Sequence, residues 1–98
     1  MIWKFHDPWM TMEHLGYLPG FLSEDDPRSA REQFDAHYGW RAFRGFELRD
    51  DDSIKYPGDP RMAPLAETKL RDERILFYPS SWVMVMQPDR SFEICRMD

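Results

Sequence analysis

Ile75-Leu76-Phe77-Tyr78 and Trp82-Val83-Met84-Val85-Met86 decide the fold. Each is an apolar run of strand length, too short for a helix. A third strand-like segment, Phe92-Glu93-Ile94-Cys95-Arg96-Met97, follows Pro88-Asp89. There a type I turn takes proline at its second position and aspartate at its third. The three segments predict a C-terminal antiparallel meander. The fold class that follows is α+β: an antiparallel sheet of about three to five strands with one main amphipathic helix packed on one face.

That helix is predicted over Pro27 to Tyr38. Asp26 suits the N-cap because its carboxylate can accept from a free amide, and Pro27 suits the first helical position, where its missing N–H costs nothing. Gly39 ends the helix because it takes the left-handed conformation without penalty. Ala30, Phe34, His37 and Tyr38 recur at helical spacing and form the apolar face, opposite Arg28, Arg31, Glu32 and Asp35.

Upstream, Leu15-Gly16-Tyr17-Leu18-Pro19-Gly20-Phe21-Leu22 is too broken for a helix and reads as a packed irregular segment, with Pro19-Gly20 as a type II turn. Downstream, Phe46 to Arg49 reads as a short strand, with Gly45 marking a bend or bulge. Arg49-Asp50-Asp51-Asp52-Ser53 is a polar turn before Ile54-Lys55-Tyr56, and Pro57-Gly58-Asp59-Pro60 is a loop. Pro64 to Leu70 is predicted as a short helix with Leu65 and Leu70 facing inward.

A chain of 98 residues makes one domain, 1–98, with a single core. Aromatic residues are 15% of it, and each one buried removes roughly 150–250 Å² from water, so a few organise a core of this size. With Met10 or Met12 as the start, residues 1–11 become an N-terminal extension that docks Trp3 and Trp9 on the domain or on a partner.

Eighteen acidic against thirteen basic side chains give a charge of −5, which disfavours attraction to phosphate backbones, so direct nucleic-acid binding is not expected. Arg41, Arg44 and Arg49 beside Trp40, Phe43 and Phe46 are the local exception. One cysteine, Cys95, cannot form an internal disulfide and fits a reducing, cytoplasmic setting. No apolar run reaches the ~20 residues that cross a bilayer, and the N-terminus lacks the pattern of a signal peptide.

His6, His14, His37 and Cys95 stand at no metal-ligand spacing, so no metal site is assigned. Ser80-Ser81 lacks the G-x-S-x-G turn of an exposed nucleophile and reads as a strand connection. No glycine-rich phosphate loop is present, and no cofactor is implied. The chain is therefore not read as an enzyme. The catalytic alternative needs Asp59 or His37 in a concave pocket with a perturbed environment.

What remains are two acidic runs, Glu24-Asp25-Asp26 and Asp50-Asp51-Asp52, on an aromatic-rich domain. Gathered on one face, they would oppose a basic partner surface and speed association. Trp3 and Trp9 would add anchors.

Leu15-Gly16-Tyr17-Leu18-Pro19-Gly20-Phe21-Leu22, Tyr56-Pro57-Gly58-Asp59-Pro60 and Leu70-Arg71-Asp72-Glu73-Arg74 through Tyr78-Pro79 resemble small uncharacterised proteins of proteobacterial phages and prophages. The resemblance spans Met12 to Asp98, and such proteins carry glycine where this chain has Arg90. It brings no catalytic residues. It implies a setting in which small acidic proteins bind and block host protein or ribonucleoprotein complexes, including CRISPR effectors with positively charged nucleic-acid channels. The expectation is a non-enzymatic inhibitor module, anti-CRISPR-like, that occludes a basic nucleic-acid site. The alternative is a structural or homo-oligomeric phage component.

Overall fold

The structure, a computed structural model, describes residues 20–97. The readings made for residues 1–19, Trp3 and Trp9 among them, lie outside the described residues. The elements are α1 (Ala30–Tyr38), β1 (Ala42–Phe43), β2 (Glu47–Leu48), β3 (Ile54–Lys55), β4 (Ala66–Leu70), β5 (Glu73–Phe77), β6 (Trp82–Met86) and β7 (Phe92–Arg96). Five strands form one antiparallel sheet in the order β1-β7-β6-β5-β4, and β2 and β3 form a separate antiparallel hairpin. The fold is α+β with a C-terminal meander, as the apolar runs required.

Those runs are continuous because both faces of the sheet are covered, so alternate residues on either side are apolar. On one face Leu70, Ile75, Phe77, Val83, Val85 and Cys95 pack with Leu22, Ala30, Phe34 and Trp40, which places α1 there. On the other, Leu76, Tyr78, Met84, Met86 and Ile94 pack with Ile54, and with the half-buried Phe46, Leu48 and Met62 of the hairpin and its flank. Ile54 and Met62 exchange backbone hydrogen bonds of 2.9 and 2.8 Å, which fixes the hairpin to the segment leading into β4.

The helix starts three residues later than its sequence suggested. Ser29, not Asp26, is the N-cap: its hydroxyl accepts from Glu32 N (3.1 Å), while Glu32 accepts from Ser29 N (2.9 Å). This reciprocal pair satisfies two otherwise free amides and contributes about 1 kcal/mol. Asp26 is instead engaged by Arg28, whose amide and guanidinium both donate to it. The buried face also turns relative to expectation. It holds Ala30, Gln33 and Phe34, whereas His37 is exposed and stacks on Phe21 with centroids 4.3 Å apart. Gln33 is buried because its amide has three partners, donating to Ser23 O and Arg28 O and accepting from Ser23 N. It thereby staples the acidic approach segment to the helix. Gly39 (φ 84°) ends the helix as expected.

The second correction is at 64–70. Ala66–Leu70 is a strand, β4, paired with β5 from Ala66↔Phe77 to Leu70↔Glu73. Thr68 and Leu70 point inward and Glu67 and Lys69 outward, a period of two that prevails over the Leu65/Leu70 spacing. The short strand near Phe46 is β2, and Gly45 (φ 96°) makes the bend before it. A side chain at Gly45 would meet Tyr56 Cε1 at 3.2 Å.

Candidate functional site

The two acidic runs lie on opposite faces of the sheet. Glu24-Asp25-Asp26 belongs to the helix side: Arg71, in the β4–β5 turn, donates to the carbonyls of Glu24 (3.0 Å), Asp26 (3.2 Å) and Arg28 (2.7 Å). Nearby, buried Glu73 accepts from Ala30 N (2.7 Å) and from Gln87 Nε2 (2.9 Å). Asp50-Asp51-Asp52 forms the tip of the β2–β3 hairpin on the other side, where Asp52 meets the outward residues of β5. A single docking surface made from both runs, the arrangement expected from sequence, is not what the chain builds.

The runs also differ in how their charge is used. Asp52 Oδ2 accepts from Arg74 (2.7 Å) and Oδ1 from Arg90 (3.1 Å), while its carbonyl accepts the Tyr78 hydroxyl (2.6 Å). Arg74 holds Glu67 as well (2.7 Å), and Arg90 reaches the Arg49 carbonyl (2.9 Å). Partial burial alone would raise the Asp52 carboxyl, but the hydrogen bonds from Arg74 and Arg90 outweigh it and hold the group below the usual carboxylate range. Burial pushes the Tyr78 hydroxyl well above its ordinary value, so it stays a donor. Asp52 is thus a structural hub. Asp50 and Asp51 remain exposed at the tip, Asp51 lowered by hydrogen bonds from Ser53. In the first run Glu24 and Asp25 are exposed, and Asp26 is lowered to about 2, chiefly by the hydrogen bond from the Arg28 side chain.

At the base of the same hairpin the structure assembles a ladder of rings. Phe43 meets Trp82 edge-on at 4.9 Å, Trp82 meets Phe46 at 4.8 Å, and Phe46 meets Tyr56 at 5.0 Å. Phe43 is 37% and Tyr56 42% exposed, so the ends of the ladder face water. Arg96 lies over the Trp82 ring at 5.5 Å and Arg41 over Phe43 at 5.8 Å, within the range of cation–π attraction. Phe43, Phe46 and Arg41 belong to the aromatic and basic stretch from Trp40 to Arg49. Tyr56 and Trp82 join them only through folding, and Trp40 departs, buried on the helix side. Arg49 departs too, to the acidic end of the hairpin.

Both residues named for the catalytic alternative are exposed. Asp59 is exposed in the turn closed by its amide on Tyr56 O (2.9 Å), and His37 is exposed on α1. The Cys95 thiol is pushed up to about 12 by burial, which keeps it from acting as a thiolate. Ser80 and Ser81 form the β5–β6 connection, both with left-handed backbone (φ 64° and 65°). Among the described residues no group of three or more His, Cys, Asp or Glu is placed to hold a metal ion, and no helix is long and apolar enough to cross a membrane. No protein family, curated protein or solved structure matches this chain.

Proposed function

We propose that the chain is a non-enzymatic protein-interaction module whose docking surface runs from the base of the β2–β3 hairpin to its tip. The observation that carries this reading is the ring ladder Phe43-Trp82-Phe46-Tyr56 with its two overlying arginines. Rigid aromatic rings and arginines are the side chains that dominate binding energy at protein interfaces, because they bury large area at low entropic cost. The hairpin tip follows Phe46 after the two residues of β2 and Arg49. There Asp50 and Asp51 present negative charge at the opposite end of the same surface. An anchor of rings and arginines with an acidic tip fits a partner with an apolar cleft beside a basic rim.

The resemblance to phage and prophage proteins makes the partner a host protein or ribonucleoprotein complex, and blocking it the purpose. Asp50 and Asp51 are then the carboxylates that cover a basic nucleic-acid site. Glu24, Asp25 and Asp26 face the other way and take no part.

The test is capture from host lysate by the tagged wild-type chain, compared with Phe43→Ala/Tyr56→Ala and with Asp50→Lys/Asp51→Lys. A host complex recovered in stoichiometric amount by the wild type, lost with the ring variant and weakened with the lysine variant, supports the reading. Equal capture by all three overturns it. Binding of single-stranded oligonucleotide in place of protein, lost with the ring variant, would assign the ladder to base stacking instead.

A further inference from the structure

Strand β4 forms the edge of the sheet opposite β1, where the ring ladder begins. Among the described residues β4 has β5 on one side and no strand on the other. An unpaired edge is a template for another chain, and proteins usually blunt it with charge or proline. The charges on β4 are not of one sign. Glu67 and Lys69 are exposed and flank Thr68, so the strand reads Glu-Thr-Lys about its own centre.

The backbone register makes that symmetry usable. β4 and β5 are joined by a two-residue turn and meet at Leu70↔Glu73, with Thr68↔Ile75 and Ala66↔Phe77 following. A two-residue hairpin loop closes on a hydrogen-bonded pair. Leu70, Thr68 and Ala66 therefore direct their amides and carbonyls to β5. The Leu65 amide, donating to Phe77 O at 2.7 Å, fits this phase as a bulge next to Ala66. Glu67 and Lys69 consequently turn theirs to the open edge.

We propose that β4 pairs antiparallel with β4 of a second copy of this chain, about a two-fold axis at Thr68. Glu67 then sits opposite Lys69 of the second copy and Lys69 opposite its Glu67. Each pair exchanges two backbone hydrogen bonds and sets unlike charges side by side, while Ala66 faces Leu70 of the second copy. Within one chain Lys69 lies directly across from Arg74, and Glu67 is the carboxylate that Arg74 holds. In the dimer each Glu67 is shared between its own Arg74 and Lys69 of the second copy. Pairing here continues the sheet through both chains and leaves the β1 edge and the ring ladder uncovered, so the proposal stands apart from the docking surface above.

Sedimentation equilibrium across the micromolar range tests this. The wild-type chain is expected to show a monomer–dimer equilibrium. Glu67→Lys and Lys69→Glu should each weaken it by about tenfold or more, because each sets like charges opposite one another. An equimolar mixture of the two single variants should dimerise again, since one then carries two lysines and the other two glutamates at the paired positions. The double exchange E67K/K69E in one chain should also dimerise, and it keeps a carboxylate across from Arg74 if either single variant folds poorly. A wild-type chain that stays monomeric overturns the proposal. So does a dimer indifferent to the single changes, or a mixture that fails to recover.

Discussion

Two acidic triplets of nearly identical composition, Glu24-Asp25-Asp26 and Asp50-Asp51-Asp52, do opposite things. The first is positioned through its backbone: Arg71 gathers the carbonyls of 24, 26 and 28, Gln33 holds Ser23 and Arg28, and Glu73 takes the first helical amide. Its carboxylates are left to water and to Arg28. The second is positioned through a carboxylate, with Arg74 and Arg90 converging on Asp52 from β5 and from the β6–β7 turn. A run of acids therefore carries no fixed electrostatic meaning. What matters is whether an arginine arrives at the main chain or at the side chain.

The strongest way to break this contrast is to remove Glu73. Glu73→Ala leaves the Ala30 amide and Gln87 without their acceptor in a buried setting and should cost about 2–3 kcal/mol in urea unfolding. Glu73→Gln, which keeps an acceptor oxygen, should cost clearly less. If both variants match the wild type, Glu73 does not anchor the helix start.

Next in size is Asp52→Asn. Asparagine tolerates the left-handed backbone of this position (φ 69°), so the variant isolates the charge. The pair is partly exposed, and the loss expected is about 1–2 kcal/mol at neutral pH. Asp26→Asn, which loses a single ion-pair partner in the exposed Arg28 where Asp52 has two, should shift the unfolding midpoint less. Equal effects at the two sites would erase the distinction between the triplets.

Acid sharpens the same difference. The folded Asp52 carboxyl lies below its unfolded value of 3.8, so its contribution is complete above that value and is lost as pH falls through the lowered one. The gap in melting temperature between wild type and Asp52→Asn should stay constant from neutral pH down to about 5 and close below about 4. A gap that persists in strong acid would show that geometry, not charge, holds the hub.

The smallest effect belongs to Arg90→Gly. Arg90 ends the Gln87-Pro88-Asp89 turn with φ 69°, a conformation that costs a non-glycine residue about 1 kcal/mol. It recovers part of that through its contacts to Asp52 and the Arg49 carbonyl, in an exposed setting that weakens them. The two nearly cancel, and a net change within about 0.5 kcal/mol is expected in the same urea measurement. A large loss would mean that Arg90 contributes more to the hub than Arg74 leaves to it.

The meander was legible because β5 and β6 are apolar on both faces, a signal that needs no partner to be read. Gly39 and the Pro88-Asp89 turn were legible for a similar reason, since local backbone chemistry fixes them. The helix start was misplaced because three acids and a proline outweighed Ser29 and Glu32, whose reciprocal hydrogen bonds depend on each other. β4 was misread because a short edge strand shows only two outward residues, and Leu65 and Leu70 mimic a helical pair. Least legible was the site itself. Arg74 and Arg90 lie 22 and 38 residues from Asp52, and Tyr56 and Trp82 reach Phe46 across the hairpin and the sheet. Long-range convergence of this kind leaves no spacing to find.

Cys95 gives the molecule an internal reporter. It is the chain's one cysteine, 1% exposed, in a strand with neighbours on both sides. The thiol lies under Leu22, Ala30, Phe34 and Trp40 on the helix side of the sheet, so a thiol-reactive dye can reach it only when that cover lifts. The labelling rate in native buffer therefore clocks the openings of the helix layer over the sheet, with no engineered probe required.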